Sequence, residues 1–148
     1  MNILIHPSRD EDVPALAAIY ATSVATDTAS WEYEAPGLEE FARRRRDVLA
    51  NGFPYFTAEL DGHVVGYSYA SSYRARIGYR FVVEDSVYVL RELQGRGIGR
   101  RLLTTLIDEC ARQGFRQMIA AIGDSANSGS IKLHASCGFE PVALFKGT

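Results

Sequence analysis

The 148-residue sequence predicts an α/β protein, in the α+β mixed-sheet sense, and three observations carry that reading. Its first half sets two apolar runs around a tight Asp61-Gly62 turn, the pattern of an antiparallel hairpin. Its second half twice passes from an apolar strand through glycine into a helical pattern, as parallel βαβ units do. The composition is that of a packed globular chain, 47% hydrophobic and 23% charged. The length suits one domain, taken as 1–148.

The elements follow in order. Ile3 to His6 reads as a short strand. Ser8-Arg9-Asp10-Glu11-Asp12 supplies capping and acidic first-turn residues for a helix through Val13, Leu16, Ile19 and Tyr20. Thr26 to Pro36 reads as a loop containing Trp31, and a second helix covers Leu38 to Leu49, stopped by Asn51-Gly52. Phe53 to Leu60 and His63 to Ser71 form the hairpin. Arg80 to Leu90 is a long aromatic and β-branched strand. A helix from Ile98 to Gln113 carries Ile98, Leu102, Leu103, Leu106, Ile107 and Cys110 in an amphipathic pattern and stops at Gly114. Phe115 to Ile122 is a strand, Asn127 or Ser128 caps a helix through Ser136, and Phe139 to Phe145 is a final strand. The predicted order is β-α-α-β-β-β-α-β-α-β.

Charge and composition exclude several roles. A net charge of -2 argues against a general nucleic-acid or membrane-surface partner. The basic run Arg43 to Arg46 shares its helix with Glu39, Glu40 and Asp47 and reads as a solvated face. No segment has the length and apolarity of a membrane span, and the N-terminus lacks a signal-peptide layout. Cys110 and Cys137 read as reduced thiols, so the expected location is cytoplasmic. His6, His63 and His134 lack metal-ligand spacing, and no metal is expected.

The most informative stretch is Val87-Tyr88-Val89 followed by Gln94-Gly95-Arg96-Gly97-Ile98-Gly99-Arg100. Strand, glycine turn and helix together present unpaired amides, and the positive end of the helix dipole, to a phosphate. Arg96, Arg100 and Arg101 add charge for the same anion. The dinucleotide fingerprint G-x-G-x-x-G is not met, and Arg100-Arg101 stand where a P-loop needs Lys followed by Ser or Thr.

Gln-x-x-Gly-x-Gly is met by Gln94, Gly97 and Gly99, and resembles the pyrophosphate loop of the GNAT N-acetyltransferase superfamily, which binds acetyl-coenzyme A. The central half of the chain, roughly Tyr69 to Phe139, resembles the phosphinothricin and methionine-sulfoximine N-acetyltransferases within it. The residues are Tyr79 to Val89, Gln94 to Gly99, Gln113-Gly114-Phe115, Asn127 with Ser130 to His134, and Cys137-Gly138-Phe139, with weaker echoes at Ala29-Ser30-Trp31. The resemblance implies the GNAT acyl-CoA N-acyltransferase fold and a homodimer. One departure is that this family usually adds a strand with a Lys-x-Gly-x-Trp-x-Asp signature, whereas this sequence ends at Lys146-Gly147-Thr148. The usual last strand is therefore expected to be missing, leaving an open sheet edge.

The resemblance implies acetyl transfer from acetyl-CoA to the primary amine of a small amino-acid-like substrate, by direct attack in a ternary complex. The amine must lose its proton, at a cost of roughly 4 kcal/mol at pH 7 for a pKa near 10. Glu84, three residues before Val87, stands at the family's general-base position. Main-chain groups around Val87, Tyr88 and Val89 receive the pantetheine arm and the charged thioester oxygen. His134 occupies the place of a proton donor to the departing thiolate, and Asn127, Ile131 and His134 share one helical face. Cofactor binding is assigned to Val87, Tyr88, Val89, Gln94, Gly95, Arg96, Gly97, Ile98, Gly99, Arg100, Asn127, Ser130 and Lys132. Trp31, Arg74, Tyr79 and Arg80 are the expected acceptor residues, with an arginine for the substrate carboxylate. Other acceptors (a polyamine or a protein N-terminus) and a non-catalytic acetyl-CoA-binding role are the alternatives.

Overall fold

The computed structural model of the protein describes residues 2–26, 34–72, 81–120 and 128–140. In chain order these form β1 (Ile3–Pro7), α1 (Val13–Thr26), α2 (Leu38–Ala50), β2 (Tyr55–Leu60), β3 (His63–Ser72), β4 (Val82–Val89), α3 (Ile98–Arg112), β5 (Gln117–Ile119) and α4 (Ser128–Ser136). The expected order therefore appears up to α4. The last predicted strand, 139–145, lies largely outside the described residues, and Phe139 and Glu140 carry no strand pairing.

The five strands make one sheet in the order β1-β2-β3-β4-β5. The first three pairings are antiparallel, and β5 joins β4 in parallel after the α3 crossover. Asp61 and Gly62 at the β2–β3 turn have φ of 52° and 82°, the doubly positive geometry of a primed hairpin turn. A bulge lies between Ala58 and Glu59 in that pair.

The start of α1 draws its cap from the expected Ser8 to Asp12 segment. A single 3-10 turn, Asp10–Asp12, precedes it, and the cap is the Asp12 carboxylate accepting Arg9 N–H at 2.9 Å. Short acidic side chains satisfy such orphan amides readily.

Helices cover both faces of the sheet. On one face α1 and α2 bury Val13, Leu16, Ile19 and Phe41 against Tyr55 and Tyr67. On the other, α3 buries Ile98, Leu102 and Leu106 against Ala58, Val65, Ala70 and Val83. Each fully buried leucine contributes about 2 kcal/mol of transfer free energy. Among the described residues no helix is long and apolar enough to cross a membrane.

One arginine of the basic run departs from the solvated-face reading. Arg43 and Arg44 do pair with Glu40 at the surface. Arg45 instead is 4% exposed and turns inward. It donates to Asp10 Oδ1 at 2.8 Å, Ser8 Oγ at 3.0 Å and Ser8 O at 3.1 Å, and stands 6.0 Å over the Tyr55 ring. Four bonding directions meet the planar guanidinium, which is what allows a charge there at all.

Candidate active site

Parallel pairing between β4 and β5 spans three residues: Val82↔Gln117, Val83↔Met118 and Glu84↔Ile119. Strand β4 runs on to Val89, so beyond Glu84 its far edge has no strand partner among the described residues. Two bonds show which groups line that edge. Leu90 N–H donates to Val65 O at 2.9 Å on the β3 side, and Arg116 N–H donates to Phe81 O at 2.9 Å on the β5 side. Main-chain groups alternate between the two edges of a strand. Val87 and Val89 therefore direct their N–H and C=O groups to the open edge, where Gln94 Nε2 reaches Val89 O at 3.3 Å. Tyr88 is a packing residue by its side chain, with ring centroids 5.0 Å from Tyr67 and 5.4 Å from Tyr20.

Beyond this edge the chain makes a short 3-10 turn, Arg91–Leu93, and enters the glycine loop. Gly95 and Gly97 have φ of 81° and 87°, which L side chains rarely adopt. Gly97 caps α3 with no side-chain hydrogen bond, and the first intrahelical bond runs from Arg101 N–H to Gly97 O at 3.1 Å. The amides of Ile98, Gly99 and Arg100 thus lack intrahelical acceptors and sit at the positive end of the dipole. Arg96 and Arg100 are exposed beside them. This arrangement fits a diphosphate. Ile98 is 1% exposed, so only its main chain is available to a ligand. Arg101, grouped with the anion-binding arginines on sequence grounds, donates to Ile3 O at 2.8 Å instead. At Gly99 a Cβ would lie 3.2 Å from Leu133 Cδ2, so the lack of a side chain lets α4 pack on the start of α3.

Strand alternation separates Glu84 from Asp85. Glu84 shares the α1–α2 face with Tyr88, and Tyr69 stands opposite Ser86 on that face. Its burial, with the adjacent Asp85 charge, pushes the Glu84 carboxyl above its ordinary pKa. Asp85, 7% exposed, faces α3 and α4. Its Oδ2 accepts from His134 Nε2 at 2.7 Å, while His134 Nδ1 donates to Ser130 O at 2.8 Å. Two acceptors on one ring call for the doubly protonated imidazolium. Burial opposes that charge, but the hydrogen bond and charge of Asp85 prevail and raise the His134 pKa.

His134 therefore has both N–H groups engaged, and Phe139 packs edge-on at 4.9 Å. A proton passed from His134 to a thiolate requires one of these bonds to open first. Ile131, placed on the same face by helical spacing, is 43% exposed, and Lys132 is exposed too. Ser130 enters through its carbonyl. Asp85 was not singled out by sequence reasoning. The available signal was a carboxylate in phase with Val83, Val87 and Val89, the apolar face of its own strand.

The face carrying Glu84 is a wall of tyrosines. Tyr55, Tyr67 and Tyr69 stack at centroid distances of 5.8 Å and 4.8 Å from Tyr55. A cavity of about 60 Å³ lies beside Tyr20, Phe41, Arg44 and these rings. Ligand pockets start near 300 Å³, so this cavity alone is too small for one. The expected acceptor residues Trp31, Arg74, Tyr79 and Arg80, and the expected cofactor residue Asn127, lie outside the described residues.

Comparison with known proteins bears on the loop and the strand together. A model of the acetyltransferase (GNAT) family matches residues 16–139. The chain is 49% identical over 138 residues to the phosphinothricin N-acetyltransferase of Alcaligenes faecalis, covering 93% of this chain and 70% of that protein. It is 37% identical over 132 residues to an L-methionine sulfoximine/L-methionine sulfone acetyltransferase of Salmonella typhimurium, covering 89% of this chain and 77% of that one. The crystal structure of a GNAT superfamily phosphinothricin acetyltransferase from Sinorhizobium meliloti, in complex with AcCoA, superposes with a TM-score of 0.91 at 42% identity, covering 95% of this chain and 76% of that chain.

Proposed function

Since the chain belongs to the acetyltransferase (GNAT) family, we propose that it acetylates the primary amine of a small amino-acid-like acid of the phosphinothricin or methionine sulfoximine type. The single observation that supports this most is the end of parallel pairing at Glu84↔Ile119. From that point β4 has no further strand partner on this edge among the described residues, the α3 amides follow, and a half-buried carboxylate stands at the junction.

Acetyl-CoA supplies an acetyl group already activated as a thioester. The amides of Ile98, Gly99 and Arg100 receive its diphosphate, with Arg96 and Arg100 adding charge. Val87 and Val89 hydrogen-bond the extended arm along the open edge, and the same edge supplies a donor for the thioester oxygen. Glu84 takes the proton from the ammonium of the acceptor, directly or through one water. Its raised pKa makes it a better acceptor of that proton than a solvated glutamate. The amine nitrogen forms the new C–N bond and gives up its second proton to water or to the departing sulfur, while the C–S bond breaks and the sulfur leaves as thiolate; its intrinsic pKa of about 8.5 makes a dedicated side-chain proton donor dispensable. His134 and Asp85 act as positioning residues that hold α4 beside this edge.

Thiol release on adding phosphinothricin or methionine sulfoximine to the protein and acetyl-CoA tests the reading. Turnover with either acid, absent with a diamine of similar size, supports it. Tight acetyl-CoA binding with no turnover on an amino-acid panel defeats it.

A further inference from the structure

The sheet face under α1 and α2 carries hydroxyls that the protein does not satisfy. Tyr55 and Tyr67 are 4% and 1% exposed, and neither phenol hydrogen-bonds to a described residue. Directly opposite Tyr67, on the same face, Thr57 has a buried hydroxyl that is also without a partner. A buried hydroxyl normally finds a partner, because leaving it bare forfeits its bonds to water.

Both tyrosines line the cavity of about 60 Å³, and Arg45 lines it with them. Arg45 makes three hydrogen bonds, to Ser8 and Asp10, fewer than its guanidinium has N–H groups to give. Burial holds both phenols well above their ordinary pKa, so each keeps its O–H proton at neutral pH. Aromatic faces and unspent donors therefore meet in one enclosed space, which suits a group that carries oxygen lone pairs. A space of this size holds one such group rather than a whole ligand.

Strand register relates this cavity to Glu84. Glu84 pairs with Ser71, Tyr69 lies two residues back along β3, and Tyr55 pairs with Tyr69 from β2. Two strand spacings across and two residues along put the backbones of Glu84 and Tyr55 about 12 Å apart. An acceptor whose amine sits at Glu84 keeps its α-carboxylate beside that amine. Only the far end of its side chain extends to Tyr55 and Tyr67.

We propose that Tyr55 and Tyr67, with Arg45 beside them, bind the oxygen-bearing end of the acceptor's side chain, a phosphinyl, sulfonyl or sulfoximine group, and so set a preference for such acids over apolar amino acids. The proposal rests on the acetyl-transfer reading for the place of the amine at Glu84. The two hydroxyls touch the acceptor and take no part in the transfer step.

L-Methionine sulfone and L-norleucine have side chains of the same length and differ in the sulfone group, so together they probe the subsite. With acetyl-CoA and the full chain, kcat/KM in the native protein should favour the sulfone. Tyr55→Phe and Tyr67→Phe should each cut that preference about tenfold, mostly through KM for the sulfone. Neither variant should lower the melting temperature, because the hydroxyl removed has no partner in the protein. Arg43→Ala, on the exposed surface of α2, should leave the preference as it is. No native preference for the sulfone, a preference kept by both Phe variants, or equal losses on both acceptors overturns the proposal and leaves acetyl transfer standing. Calorimetric titration of the sulfone with coenzyme A present separates the two readings. Native binding that weakens about tenfold in Tyr55→Phe, with no turnover of any amino acid, supports the subsite and defeats acetyl transfer. Absence of native binding overturns the subsite.

Discussion

Asp85 and His134, both buried and 2.7 Å apart, tie α4 to the middle of β4. The pair lies just past Glu84↔Ile119, the last parallel pairing among the described residues, and joins α4 to β4 through side chains. Breaking a buried pair by removing one partner costs about 3–5 kcal/mol, since the other charge is left uncompensated. Asp85→Asn is expected to lower unfolding free energy in urea by about 3 kcal/mol. A loss under about 0.5 kcal/mol, the size of a surface pair, would reject this role.

The same pair sets a pH dependence. The folded-state pKa of His134 is raised, so its stabilising contribution is complete below the unfolded value near 6.5 and is lost as pH rises through the folded value. Stability should therefore decline with rising pH in the window above about 6.5. Asp85→Asn should flatten that decline. Denaturation midpoints measured from pH 6 upward check the sign.

Glu84→Gln keeps the shape of the side chain and removes its basicity. A fall of roughly 10²- to 10⁴-fold in kcat/KM is expected, the usual weight of a positioned base. In the native protein, activity should rise with pH through a pKa above 4.5, because burial favours the protonated acid. The variant should lack that limb. Equal pH profiles for the two proteins would remove Glu84 from the base role.

At Gly97 the obstacle to a side chain is conformational. An added Cβ would meet nothing within 4 Å, yet φ is 87°. Gly97→Ala should cost about 1–2 kcal/mol, the price of placing an L side chain in the left-handed region. The cost appears in unfolding free energy if the loop keeps its shape, or in acetyl-CoA affinity if it relaxes. Calorimetry of both quantities tests this, and no change in either would show that the loop does not need its left-handed turn.

Arg45 and Arg43 are neighbours in composition and differ in consequence. Arg45→Ala removes a buried guanidinium bonded to Ser8 and Asp10, and a loss of about 2–3 kcal/mol is expected. Arg43→Ala removes exposed pairs with Glu40 and Asp47 and should change stability by less than about 0.5 kcal/mol. Parallel urea titrations compare them, and equal losses would place Arg45 at the surface.

Local signals were legible in the sequence where one short stretch carries the whole physical cause. The Asp61-Gly62 turn needs two positive φ values, and both residue types tolerate them. The loop from Gln94 to Gly99 reads from glycine spacing and the helix that follows. What was not legible depends on residues far apart in the chain. Arg45 shares a run with three other arginines, and only Ser8, Asp10 and Tyr55 distinguish it. His134 looked available for proton transfer until Asp85, 49 residues away, was placed against its Nε2.

The separation of Glu84 from Asp85 has a consequence for how this strand tolerates change. Their chemistries are assigned by parity along β4, and parity is a property of the whole strand. A single inserted or deleted residue before Glu84 would deliver the wrong carboxylate to each side at once, turning Asp85 to the α1–α2 face and Glu84 into the α3–α4 core. Two point substitutions cannot imitate that exchange, because every valine between Val83 and Val89 would cross over as well. Gly66 guards the alignment: a Cβ there would lie 2.8 Å from Tyr88 O, so β3 and β4 meet at one tightly matched point. In this member of the GNAT family, frame along one eight-residue strand and placement of its two carboxylates are a single variable.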